Sequence, residues 1–217
     1  QTIRCRSTAD FLAALPQLAG FTATDSLFVV LFAGAQAERA VRFDLPSSEE
    51  PSESTRLLDL VCDILSEVGA AGDPDAAPAL VISSALSFKE AGGTPWRRLA
   101  RRIERRFRRE RIGLRELCCI APDGWVSYIE SGAPQHGHPI SEIEASPVAL
   151  EALVNGDPIP DLSTLGELPI ASSARVRAVA RALDSLAPFP QSTKDAGERG
   201  PRRQGTLEVP AWFGDTA

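Results

Sequence analysis

Four things are scarce in this sequence, and each scarcity excludes something. No apolar run approaches the roughly 20 residues a membrane-spanning helix needs. The longest stretches only from Leu27 to Ala33, so no membrane partner is expected. Cysteine is sparse: Cys5, Cys62, Cys118 and Cys119 show neither zinc-type paired spacing nor the density of a disulfide scaffold. They are expected to be small buried hydrophobes in a reducing cytosol, and neither a metal nor a cofactor is expected. Lysine is nearly missing, with Lys89 and Lys194 the only two among 23 basic side chains. The preference for arginine is therefore chain-wide, and no single arginine can be read as chosen for bidentate chemistry. Finally, the sequence offers no nucleophile–base pair, no glycine-rich phosphate loop, no helix-turn-helix spacing and no aromatics interleaved with basic residues. Specific base readout is not expected. No leader pattern precedes the first helix, since Thr2-Ile3-Arg4-Cys5 runs straight into it, and the expectation is a cytoplasmic protein.

What is abundant sits in one place. Nine arginines fall between Trp96 and Arg111, with Glu104 and Glu110 the only acids among them. The segment carries +7 on a chain of −6, so everything outside it carries −13. At 100° per residue, Trp96, Leu99, Ile103 and Phe107 fall in a narrow apolar arc, which predicts a helix docked by that side. Arg98, Arg101, Arg102, Arg105 and Arg109 fall opposite, as a cationic ridge. Such a ridge is an electrostatic footprint for a polyanion or an acidic partner surface, or a solvated face balanced by the chain's own acids.

The rest of the chain alternates helical and strand patterns. Ser7 caps a helix through Phe11, Leu12, Leu15 and Leu18, with Pro16 expected to kink it or end it early and Gly20 closing it. Ser26 to Ala33 reads as a strand buried on both faces, and Val41 to Leu45 alternates as its half-buried hairpin partner across Gly34 to Arg39. Pro46 to Ser54 reads as an acidic loop and Thr55 to Val68 as an amphipathic helix. Ala79 to Leu86 and Leu114 to Ala121 are further strands, the latter turning at Pro122-Asp123-Gly124 into Trp125 to Ile129. Ser146-Pro147 opens a short helix ending at Asn155-Gly156, and Ser173 to Ala187 is a last helix. The fold class expected is α/β, with α+β the alternative: a mixed sheet with two hairpins, covered by helices. One domain over 1–187 is expected, followed by a flexible tail over 188–217 whose apolar end, Val209 to Phe213, could dock on a surface.

Three stretches taken together carry a resemblance: Pro16-Gln17-Leu18-Ala19-Gly20-Phe21-Thr22-Ala23-Thr24-Asp25-Ser26-Leu27, Gly124-Trp125-Val126-Ser127-Tyr128-Ile129, and Ser146-Pro147-Val148-Ala149-Leu150-Glu151-Ala152-Leu153-Val154-Asn155-Gly156. Their order and spacing resemble the uncharacterised actinobacterial family called domain of unknown function 4192, over most of Phe11 to Leu165. The resemblance implies a bacterial cytosolic protein with a shared fold, and no established activity. Members often carry cysteines in the loop after the Trp-x-Ser-Tyr strand. Here that loop, Glu130 to Pro139, has none, which argues against a required thiol or zinc site.

Other chemistry-bearing residues are fewer. His136-Gly137-His138 could hold a metal only with a third ligand, and none lies nearby, so an exposed polar loop is expected. Were that loop to fold over the sheet edge, it could shape a pocket. Asp25 and Asp44 lie at strand ends that a hairpin brings together, and with Asp123 are the carboxylates available for cation binding or acid–base work. Ordinary turn and strand-end roles are the simpler expectation. Trp125, Ser127 and Ile129 should share one strand face and Val126 and Tyr128 the other. Three function classes follow. The leading one is a non-catalytic protein whose arginine ridge contacts nucleic acid, without specificity, or an acidic protein surface. The second is an enzyme or small-ligand binder with a site at the 130–139 loop. The third is a homo-oligomeric module in which the ridge of one copy meets the acidic loop Ser47 to Glu53 of another.

Overall fold

The structure is a computed structural model that describes residues 3–156, 159–165 and 173–184. The described residues divide into two units, one over 1–167 and one that begins at 168.

The first unit is built on a six-stranded mixed sheet in the order β2-β1-β3-β4-β5-β6. Its centre is β1 (Ser26–Ala33), β3 (Ala79–Ser83) and β4 (Glu116–Ala121), the apolar runs that read as buried on both faces. β1 pairs antiparallel with both β2 (Gln36–Asp44) and β3. β3 and β4 are the parallel pair, in register from Ala79 opposite Glu116 to Ser83 opposite Ile120. β5 (Gly124–Ser127) returns as a hairpin from β4, and β6 (His138–Pro139) adds a two-residue edge. The mixed sheet with two hairpins is therefore as the sequence pattern implies.

Alternating side chains feed two cores. On one face Leu27, Val29, Leu80, Ile82, Leu117, Cys119 and Val126 pack against α2 (Pro51–Glu67) and α4 (Arg97–Glu110). On the other, Phe28, Val30, Val81, Cys118 and Trp125 meet Leu12 and Leu15 of α1 (Thr8–Ala19) and Ile143 of α5 (Ser141–Glu144). α1 also packs against α6 (Pro147–Asn155). The result is a three-layer α/β/α unit. Trp125 and Val126 lie in opposite cores and Tyr128 packs with Val126, the alternation expected of that strand. The short α3 (Phe88–Ala91) and α4 make the crossover between the two parallel strands.

Several boundaries differ from the sequence pattern, each for a local reason. α1 runs through Pro16 to Ala19 instead of ending early, held by burial of Leu12, Ala14 and Leu15 in the turn just before the proline. α2 begins at Pro51, inside the expected acidic loop. Proline's fixed φ suits the first helical position. Glu53 then turns back to accept from the Ser47 hydroxyl and from the amide and hydroxyl of Ser48. Those bonds, the Ser47 hydroxyl foremost, hold its carboxyl below the usual glutamate range. β2 starts at Gln36, since Gly34 in the left-handed region (φ 58) makes the turn tighter than its spacing suggests.

In the second unit, α7 covers Ser173–Asp184, within the helix expected there. The expected tail over 188–217, with Val209 to Phe213, lies outside the described residues. Among the described residues no helix is long and apolar enough to cross a membrane.

Candidate functional site

The arginine helix docks as its periodicity requires. Leu99, Ala100, Ile103 and Phe107 are buried at 1% exposure or less. Its first turn lacks a side-chain cap of its own, because Trp96 stands at the N-cap in the left-handed region. Glu49 substitutes: its carboxylate accepts from the Leu99 amide at 3.1 Å, a favourable place for an anion. Trp96 and Arg111, at φ 55 and 58, bracket the helix with two left-handed non-glycine residues.

The structure sorts the arginines into two groups. Arg102 is half-buried and turned toward α2, where its guanidinium donates to the Glu49 carbonyl at 2.8 Å and to the Ser54 hydroxyl at 2.9 Å. Arg106 is held by Asp59 at 3.0 Å and Glu110 at 3.1 Å. These two tie α4 to α2. Arg98, Arg101, Arg105 and Arg109 are exposed and, among the described residues, have no acidic partner. Arg108 joins them. It was legible from the same 100° arithmetic but lies at the edge of the ridge chosen from the sequence. Arg105 spends one N–H on the Arg101 carbonyl at 3.2 Å, keeping the guanidinium along the helix. So of Arg98, Arg101, Arg102, Arg105 and Arg109, four stand together in solvent and Arg102 is turned inward.

Between α2 and α4 lies a groove of about 230 Å³ lined by Thr55, Leu58, Arg102, Arg105, Arg106 and Arg109. Two of the lining guanidiniums, those of Arg102 and Arg106, are pinned, and those of Arg105 and Arg109 have no acidic partner among the described residues. An anion lying there would meet four positive groups, two of them already fixed in position.

A larger cleft, about 610 Å³, opens at the N-terminal end of α4. One wall is the Gly92-Gly93-Thr94 connection with Arg97, and the other is the loop from Glu130 to Gln135. Val126, Ser127 and Tyr128 lie at its base. The Tyr128 hydroxyl donates to the Pro95 carbonyl, clasping the first wall to the sheet. Burial raises the Tyr128 pKa well above the usual phenol value, so this hydroxyl is a donor and not a base. Residues of the 130–139 loop thus line a pocket.

His138 is not a free loop residue. It lies in β6 with its ring stacked on Trp125, centroids 4.4 Å apart, and its nitrogens face Glu130 at 3.3 Å and Glu142 at 3.7 Å. His136 remains exposed. Among the described residues no group of three metal-ligating side chains converges. The carboxylates have local work as well. Asp25 accepts from the Ala85 amide at 3.0 Å, and Asp44 pairs with Arg42. Asp123 accepts from the amides of Phe88 and Lys89 at 2.8 and 3.2 Å. Burial pushes the Asp123 carboxyl up, but those two amides, its own amide and the Lys89 charge together lower its pKa below the usual aspartate value. It anchors the start of α3 as an ionised acceptor.

The thiols are unpaired. Cys62, Cys118 and Cys119 are buried as expected, whereas Cys5 is exposed. Burial pushes Cys119 up to about 12 and raises Cys118 further. Burial and then Asp10 raise Cys5. None of these is an activated thiolate.

Fold and site together define a three-layer α/β domain that presents a basic helix and an adjoining cleft. The chain belongs to the family described as a domain of unknown function, DUF4192, which matches residues 9–212. No curated protein matches the chain. No solved structure matches it either.

Proposed function

We propose that this protein binds polyanions through the ridge on α4, holding the phosphate backbone of nucleic acid without reading its sequence and without catalysing a reaction. The observation that carries this reading is the exposed row of Arg98, Arg101, Arg105, Arg108 and Arg109 with no acidic partner among the described residues, on a chain whose net charge is −6. Acids outnumber bases on the chain, yet among the described residues none pairs with the row. The neighbouring like charges at three and four residues' spacing cost about 1–2 kcal/mol in total at low salt. Phosphate contacts would offset that cost. From Arg98 to Arg109 the ridge spans about 16 Å at 1.5 Å per residue, long enough to meet several phosphates of a duplex at once.

Less supports the homo-oligomeric alternative: within the acidic loop Glu49 caps α4 and Glu53 is held by Ser47 and Ser48, while Glu50 stays exposed. Three unpaired buried thiols fit a reducing, cytoplasmic setting for this function. The test is binding of a labelled 20-base-pair duplex at low salt by the wild type and by Arg98→Glu/Arg101→Glu/Arg105→Glu. The expected loss is on the order of 100-fold or more. Equal affinities would sink the reading. If the wild type fails to bind DNA but retains a protein partner that the variant loses, the ridge is an acidic-surface receptor instead.

A further inference from the structure

The cleft beside the N-terminal end of α4 is independent of the ridge and has its own chemistry. Its volume of about 610 Å³ lies within the range of about 300–1,000 Å³ typical of small-molecule sites. The wall that carries Arg97 is held in place before any ligand arrives. The Tyr128–Pro95 bond clasps it to the sheet, the Gly93 amide donates to the Phe88 carbonyl at 2.9 Å, and Asp123 fixes the start of α3. A site so held loses little entropy on binding.

The charges lining it are not equivalent. Glu130 already faces His138 at 3.3 Å. Arg97 has no acidic partner among the described residues. The Thr94 hydroxyl lines the same cleft, likewise without a protein partner among them. The uncompensated charge in the cleft is therefore a cation, with a free hydroxyl donor in the same lining. Opposite them the lining mixes polar groups with a few apolar side chains: Ala133, Pro134, the Tyr128 ring and the edge of the mostly buried Val126.

We propose that this cleft binds a small organic anion, a carboxylate or phosphate monoester, with its charged group on Arg97 and Thr94 and its apolar body on Val126, Tyr128, Ala133 and Pro134. The arrangement asks for both parts at once. Inorganic phosphate would leave those apolar side chains wet, and a neutral body would leave the guanidinium unanswered.

The probes are phenyl phosphate, inorganic phosphate and benzylamine, titrated into the full chain and followed residue by residue in amide NMR spectra. Phenyl phosphate is expected to saturate, with shifts gathered at 91–97 and 126–135. Inorganic phosphate should bind more weakly and benzylamine not at all. Arg97→Gln should weaken phenyl phosphate by about 10- to 100-fold, the loss of one charge-assisted contact. Ala91→Trp, an exposed substitution that fills the cleft, should block it, while Arg101→Gln/Arg105→Gln leaves it unchanged. Glu130→Gln should leave it equal or tighter. The proposal is overturned if phenyl phosphate fails to saturate by about 10 mM or if its shifts gather on the ridge. It is equally overturned if Arg97→Gln binds like the wild type, or if Glu130→Gln abolishes binding and benzylamine binds, which would make this a cation site.

Discussion

Replacing Phe107 with alanine is expected to destabilise the fold by about 3–5 kcal/mol, the largest effect of any single change considered for this protein. Phe107 is 1% exposed and belongs to the core that joins α2, α4 and one face of the sheet. It also anchors the C-terminal half of the arginine helix, where the Ile112 amide returns to the Phe107 carbonyl at 2.9 Å. Truncation removes a buried ring, leaves a cavity and frees the end of α4 that carries Arg105, Arg108 and Arg109. The ridge is positioned by apolar contacts on the opposite side of its helix, so a core change should weaken DNA binding as well. Chemical denaturation checks the first effect. A loss under about 1 kcal/mol would mean that α4 does not dock by this face.

The second large effect is expected at Gly137. This residue sits at φ 72, and a Cβ built there would lie 2.7 Å from the Phe88 ring and 2.8 Å from the Trp125 carbonyl oxygen. Gly137→Ala combines left-handed strain of about 1–3 kcal/mol with overpacking of about 1–3 kcal/mol. The carbonyl belongs to β5 and cannot swing aside as a flexible side chain would. The expected outcome is a loss of about 2–5 kcal/mol and detachment of β6. The His138–Trp125 stack would separate, and the 130–135 wall of the cleft would shift with it. Denaturation and indole fluorescence together check this. A wild-type melting curve with an unchanged indole environment would contradict the close packing of this edge.

Much of this architecture was legible in the sequence, and particular residues say why. The uninterrupted run from Leu27 to Ala33 could satisfy its apolar side chains only in a strand covered on both faces, and β1 is that strand. The period of Leu99, Ile103 and Phe107 placed the docking side of α4 without reference to any neighbour. What escaped was set by contacts between segments distant in the chain. Glu49 caps a helix fifty residues away, so nothing near either residue announces it. Arg102 has the same local sequence environment as its exposed neighbours, and only the arrival of Glu49 and Ser54 turns it inward. His138 reads as part of a polar glycine-rich loop until β5 supplies the Trp125 ring beneath it. The Arg97 cleft draws its two walls from segments some forty residues apart, and only the sheet brings them together.

The central claim, that the α4 ridge is a contact for phosphate backbones, is tested most directly by the salt dependence of duplex DNA binding. With about four phosphates engaged, log affinity is expected to fall against log salt with a slope near −3.6, on the order of a 100-fold loss between 50 and 200 mM. The charge-reversed variant Arg98→Glu/Arg101→Glu/Arg105→Glu should show no such slope. A wild-type slope near zero, or one that the variant retains in full, would contradict the account.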